Sequence, residues 1–333
     1  MTNRKKQISV SEAKFPVSLV NIGDVTGFNV VNTERSQIVV GEFDNTKNVL
    51  GVHSGRYSLI TNEMLINTIE KVLMKFPATF EISVEQFRMM QFQIQVRFME
   101  VEHKIGNQRD KVNCSFVMKN GYDGKQKFGL HGVAMREKSK VKQAYYLSTY
   151  RQICTNGLHG WVDESVSFEE YIDLLRKGKK VKHKEVVFEQ EMLSQEELKY
   201  SHKHSGIDVE QFAQELESSI EALANLYQKA VDGASNTIQA YNEMAGYEIK
   251  TSPIQFLETI QKRTGINVLP KNLLIPSLNV IEREQQKLNI DTPNAWLMYN
   301  GVNRALTDSV KSIVQRNAAD EIVFNAIAEE VFA

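Results

Sequence analysis

The chain has 333 residues, 42% hydrophobic and 24% charged, with a formal net charge of −1, values that belong to a globular chain of one large or two ordinary domains. No apolar run approaches the roughly 20 residues needed to cross a bilayer. The polar, basic start MTNRKKQISVSEAK has no apolar segment behind it and is not a secretory signal, and two cysteines are too few for a disulfide framework. Cytoplasmic residence and no membrane association are the expectations.

The small net charge hides an uneven distribution. Residues 1–102 carry 11 Lys/Arg against 11 Asp/Glu, residues 103–184 carry 17 against 8, and residues 185–333 carry 12 against 22. A basic middle and an acidic C-terminal part point to a polyanion site in the middle, or to electrostatic docking of one part on another.

The first fourteen residues show no periodicity and are expected to form a flexible arm, 1–14. Runs rich in β-branched residues then predict strands at Val17–Ile22, Phe28–Val31, Gln37–Val40 and Val49–His53. Leu65, Ile69, Val72, Leu73 and Phe76 recur at helical spacing, so a helix should start near Thr61 or Asn62 and end before Pro77. The clearest strand lies at 91–99. Phe92, Ile94, Val96 and Phe98 alternate there with Gln91, Gln93, Gln95 and Arg97, which predicts one covered and one wet face.

Two partner strands follow. Val112, Cys114, Phe116 and Met118 alternate, and Phe128, Leu130 and Gly132 come after a Tyr122-Asp123-Gly124 turn, giving an antiparallel meander. A helix is expected from about Ala144 to Cys154, stopped at Asn156-Gly157. Ser167 and Glu170 have capping-box spacing ahead of Phe168, Tyr171, Ile172 and Leu175. Further helices should begin near Asp208, with Leu216, Ile220, Leu223 and Tyr227 on one face, at Ser252-Pro253, at Thr292-Pro293 and near Thr307. The fold class is therefore α+β: a meander with packed helices in the N-terminal half, a mostly helical C-terminal half. The expected divisions are the arm, a core at 15–176, a basic linker at 177–207 and a helical region at 208–333.

Four strings carry a resemblance: LGVHSGRYSLITNE (50–63), NGYDG (120–124), RQICTNGL (151–158) and NAWLMYNGVNRALT (294–307). Together and in this order they resemble a phage and plasmid protein family known as a domain of unknown function. Its corresponding stretches read Gly-Val-x-Ser-x-Tyr, Asn-Ser-x-Asp-Gly and Arg-x-x-Cys-(Ser/Thr)-Asn-Gly-Leu. Gly121 departs from the family's small polar residue, and REKSKVKQ (136–143) is an insertion-like basic tract. The resemblance implies a mobile-element protein, in the host cytoplasm if phage-encoded, and implies no reaction. The layout of meander, helix and cations on one face is also similar to the core of ring-forming single-strand annealing proteins, an analogy of architecture only.

Candidate binding residues come from charge interleaved with aromatic faces. Arg136, Lys138, Lys140 and Lys142 stand beside Tyr145, Tyr146 and Tyr150, which supplies phosphate neutralisation and stacking platforms for a single strand; the alternative is a solvated loop running into a helix with core tyrosines. Lys125 and Lys127 precede this tract. Arg176, Lys177, Lys179, Lys180, Lys182 and Lys184 form the densest basic run, a pattern that in isolation reads as a linker. Arg151 is read either as a phosphate ligand or as half of a structural ion pair with Asp123.

Cys154, near Arg151 and His159, is the one nucleophile worth naming, and as a free cysteine it is more ordinarily a small core residue. His202 and His204 lack further ligands at metal spacing. There is no Gly-rich nucleotide-binding motif, and no cofactor is expected. The expected function is single-stranded nucleic-acid binding of a recombination or annealing kind, without catalysis, by a homo-oligomer, with DNA ahead of RNA. The alternative is a protein interaction module: a structural subunit, or an inhibitor of a host defence system.

Overall fold

β-Branched alternation and helix-cap chemistry account for most of the elements. The computed structural model describes residues 6–27, 36–43, 45–87, 90–106, 109–124, 128–131, 147–154, 156–158, 161–164, 166–177, 209–233, 235–264, 271–310 and 313–332. Ten strands and ten helices lie among them. The strands form a three-stranded antiparallel sheet, β2-β3-β4, and a seven-stranded sheet ordered β1-β5-β6-β7-β9-β10, with β8 also paired to β7. The α+β class stands.

The chain makes two compact units, Met1–Phe98 with Phe116–Val141 and Glu185–Asn225, and Met99–Ser115 with Lys142–Lys184 and Leu226–Ala333. This differs from the expected split into 15–176 and 208–333. The cause is element length: β6 (Gln91–Ile105) and β7 (Asp110–Gly121) each pass from one unit into the other.

In the first unit the expected flexible arm is ordered from Lys6. β1 (Lys6–Ile8) pairs with β5 (Phe80–Phe87), and α1 (Val10–Ala13) is held by a capping box between Ser9 and Glu12. β2 (Val17–Asn21), β3 (Gln37–Phe43) and β4 (Thr46–His53) pair in sequence order, after and around α2 (Ile22–Thr26). The strand expected at Phe28–Val31 lies outside the described residues. α3 (Asn62–Leu73) starts where expected, with the Thr61 hydroxyl accepting from Met64 N. It buries Leu65, Ile66, Ile69, Val72 and Leu73 on one face, each contributing about 1.5–3 kcal/mol of transfer free energy. Phe15, Phe92 and Tyr122 pack as edge-on or tilted rings at 5.6–6.0 Å.

The wet face expected on β6 is not wet. Gln91, Gln93 and Gln95 are 8%, 6% and 8% exposed. Buried amides are tolerated when hydrogen-bonded, and Gln91 Nε2 donates to Asp123 Oδ2 at 3.0 Å.

In the second unit the expected helix at 144–154 is replaced by a hairpin, β9 (Ser148–Arg151) with β10 (Asn156–Leu158). β9 is drawn into the sheet by the open edge of β7, pairing Val112↔Arg151 through Ser115↔Ser148. α4 (Phe168–Arg176) is capped by Ser167. α5 (Val209–Val231) belongs to the first unit as far as Asn225 and to the second from Leu226, and the second unit continues with α6 (Asn236–Gly246), α7 (Pro253–Thr264), α8 (Lys271–Leu288), α9 (Ala295–Ser309) and α10 (Ile313–Phe332).

Pro253 does open α7, behind a Ser252–Gln255 capping box. Pro293 does not open α9: Asn294 is the cap, accepting from Leu297 N at 2.9 Å, because the Pro293 carbonyl is engaged by Ile249 N. Thr307, expected to begin the last helix, lies inside α9. Gly301 lets α8 and α9 approach, since a Cβ there would sit 2.4 Å from Ile281 Cγ1 and 3.0 Å from the Ser277 carbonyl. The core of this unit joins Trp161, Tyr171, Tyr241, Leu257, Ile281, Trp296 and Ile327.

Candidate functional site

The four strings that carry the family resemblance meet in pairs, one pair in each unit. In the first unit, 50–63 meets 120–124. His53 Nε2 donates to the Tyr122 carbonyl (2.8 Å) and its ring stacks on Tyr57 at 3.8 Å. Asn62 N donates to the Tyr122 hydroxyl (2.8 Å), and Asn120 Nδ2 donates to Asn62 Oδ1 and the Ile60 carbonyl, both at 3.0 Å. Gly51 is obligatory for this contact, because a Cβ would fall 2.2 Å from the Tyr122 carbonyl oxygen. Burial pushes the Tyr122 phenol well above its ordinary range, so it stays a neutral hydrogen-bonding group.

In the second unit, 151–158 meets 294–307 around Arg151, which is fully buried. Arg151 Nε and Nη2 donate to Asp110 Oδ2 (2.8 and 2.5 Å), and Nη1 donates to Glu284. Trp296 Nε1 donates to the same Asp110 oxygen (2.8 Å), and the Arg151 guanidinium stands 5.7 Å from the Trp296 ring centroid. Burial alone would depress Arg151's pKa; the Asp110 and Glu284 charges outweigh it and hold the pKa above the usual value.

The seam continues through Asn156 Nδ2 to Asn303 Oδ1 (2.6 Å) and Asn303 Nδ2 to Asp320 Oδ1 (2.7 Å). Asp320 Oδ2 also accepts from Trp161 Nε1 (2.8 Å) and the Tyr299 hydroxyl (3.2 Å). Burial raises the Asp320 pKa, while the hydrogen bonds from Asn303, Trp161 and Tyr299 pull it down.

Cys154 belongs to this seam as a donor. Its thiol donates to Glu284, and it is pushed up to about 11, first by burial and then by the Glu284 carboxylate. Cys114 is pushed up to about 12 by burial. Both thiols are held protonated at neutral pH, the opposite of what nucleophilic cysteine requires. Among the described residues no group of three His, Cys, Asp or Glu side chains could hold a metal ion; His202 and His204 lie outside them.

Of the expected binding residues, Arg151 is placed as the structural ion pair, with Asp110 and Glu284 in place of Asp123. Arg176 Nε donates to the Phe332 carbonyl (2.8 Å) and Lys177 pairs with Asp173 (3.6 Å). Lys125, Lys127, Arg136, Lys138, Lys140, Lys142, Tyr145, Tyr146, Lys179, Lys180, Lys182 and Lys184 lie outside the described residues.

In the sequence, twelve of the seventeen cations in 103–184 fall in the runs 125–127, 136–142 and 176–184, together with one of the eight acids, Glu137. A groove at the C-terminal end of α8, lined by Glu282, Gln285, Gln286, Asn289, Ile290 and Asp291, has the wrong sign for a polyanion.

Sequence reasoning missed Asp110, Glu284 and Asp320. A signal existed for two of them. Glu284 shares the α8 face of Ile281 and Leu288, and Asp320 shares the α10 face of Phe324 and Ile327; a carboxylate at a core position announces a buried partner. No family model matches this chain, and neither a curated protein nor a solved structure matches it.

Proposed function

We propose that this chain is a non-enzymatic single-stranded nucleic-acid binding protein of a phage or plasmid, of the recombination or annealing kind, working as a cytoplasmic homo-oligomer with DNA as the favoured partner. One observation carries the reading: twelve of the seventeen cations of residues 103–184 fall in three short runs, 125–127, 136–142 and 176–184, that hold a single acid, Glu137, with Tyr145 and Tyr146 just after the second. Cations in short runs beside tyrosines match what a flexible polyanion with stackable bases needs. The protonated thiols of Cys114 and Cys154 support the absence of cysteine catalysis.

The test is affinity for a labelled single-stranded oligonucleotide across a salt series, with light scattering on the free and bound protein. Affinity falling steeply with salt, together with a multimeric mass, is the expected result. Binding that ignores salt, or none to any DNA or RNA oligonucleotide, removes the reading in favour of a protein partner.

A further inference from the structure

Three buried oxygens of the second unit share one layer. The register of β7, β9 and β10 sets Val112 opposite Arg151 and Arg151 opposite Asn156. Side chains alternate along a strand, so Asp110, Arg151 and Asn156 stand on one face of the sheet. α9 lies against that face, since Trp296 Nε1 donates to Asp110 Oδ2 and Asn303 accepts from Asn156. Trp296, Asn300 and Asn303 recur at i, i+4 and i+7 and share one side of the helix, which sets Asn300 between those two contacts.

In this layer Asp110 Oδ1, Asn156 Oδ1 and Asn300 Oδ1 accept no hydrogen bond from the described residues, and their residues are 1%, 2% and 0% exposed. The orientation of the amides is forced. An ionised Asp320 only accepts, so Asn303 must turn Nδ2 towards it and Oδ1 towards Asn156, and Asn156 must answer with Nδ2. Asn300 Nδ2 donates to the Trp296 carbonyl at 2.7 Å, where an amide oxygen would be repelled. What remains is three acceptors with no donor among them.

Positive charge is short in the same place. The charged side chains buried in this unit are Asp110, Arg151, Glu164, Glu284, Arg316 and Asp320 among the described residues. Glu164 is met by Lys229 at 4.0 Å, and Asp320 by the charge of Arg316. Asp110 and Glu284 share Arg151 alone. A buried surplus carboxylate, and a carboxylate oxygen with no donor, are both costly.

We infer that this layer binds one buried monovalent cation, sodium or potassium, through Asp110 Oδ1, Asn156 Oδ1 and Asn300 Oδ1. A water molecule there donates to only two of the three oxygens and leaves the surplus charge; a cation takes all three and cancels it. The donors to Asp110 converge on Oδ2, so the cation uses the oxygen that Arg151 leaves. One carboxylate and two amide carbonyls suit a singly charged ion, whereas calcium takes roughly six to eight oxygens and magnesium keeps several waters. The site is independent of any nucleic-acid contact.

The test is the thermal unfolding midpoint of the full chain in potassium, sodium and choline chloride at one ionic strength and neutral pH. The midpoint should stand a few degrees higher with potassium or sodium than with choline, and the rise should follow the concentration of the small cation. Asn300→Leu keeps the volume and removes one ligand, so its rise should need at least about tenfold more cation. Asp110→Asn, which also removes the surplus charge, should show no rise. Equal parent midpoints in the three salts overturn the inference, as does a rise that Asn300→Leu reproduces at the parent's concentrations. Where the variants fail to fold, crystals of the parent grown in rubidium chloride give the answer by anomalous scattering. A peak between the three oxygens supports the site, and no peak in the layer overturns it.

Discussion

Burying Arg151 takes a guanidinium out of water, and the two carboxylates beside it are what make that tolerable. Arg151→Met should therefore cost about 3–5 kcal/mol, the usual effect of stranding buried charges by removing their partner, read by equilibrium urea unfolding. Arg151→Lys should not rescue it, because one ammonium cannot reproduce the fixed fork that reaches Asp110 and Glu284. In conditions where the variant is folded, its salt dependence of oligonucleotide binding should equal the parent's. A reduced salt slope would return Arg151 to the phosphate-binding set.

Asp320 supplies a pH signature of opposite origin. Unfolded, it titrates near its ordinary value of about 3.9; folded, burial raises it despite three hydrogen bonds. The folded chain thus holds this proton more tightly. Its stabilising effect is complete below the unfolded pKa, shrinks as pH rises towards the folded pKa, and is constant above that. Asp320→Asn lacks this titration, so the variant's stability minus the parent's should increase with pH from about 4 upward and then level off. A difference that stays flat or declines over that window would show that Asp320 is not the buried acid described.

At the scale of elements, cap chemistry decides where helices begin, and α9 separates two rules that the sequence alone leaves tied. If Asn294 is the cap, Asn294→Ala removes the acceptor for Leu297 N and the donor to the Ala245 carbonyl and should cost about 1–2 kcal/mol. Pro293→Ala, outside the helix, should cost less. Thermal unfolding of the two variants gives the order, and the reverse order would restore Pro293 to the first helical turn.

The same contrast explains what was legible. α3, α4 and α7 were readable because their caps and apolar stripes are local, and β6 and β7 because alternation is local too. The β9–β10 hairpin was not, since Leu147, Arg151 and Cys154 satisfy helical spacing equally well and only the distant edge of β7 settles the matter. Arg151 is open in sequence between a phosphate ligand and half of an ion pair with Asp123, because Asp110 and Glu284 are far from it in sequence, and Asp123 serves Gln91 instead. α8 contains Pro276, which local rules count as a breaker.

For the molecule as a whole, the distribution of charge sets the size of the expected effect. A C-terminal part with ten more acids than bases would repel a polyanion, so on the proposed function the attraction is assigned to the short cationic stretches. Each phosphate neutralised on a single strand changes the slope of log affinity against log salt by about −0.7. If Arg136, Lys138, Lys140 and Lys142 act together with Lys179, Lys180, Lys182 and Lys184, the parent slope should be about −6. Replacing either set of four by alanine should bring it to about −3. The two quadruple variants then test how the work is divided: equal slopes mean that both stretches engage the strand, whereas a near-parental slope on losing Lys179 to Lys184 leaves Arg136 to Lys142 as the contact. A slope unchanged by either replacement would mean that these cations meet no phosphate, and would turn the basic middle towards an acidic protein partner.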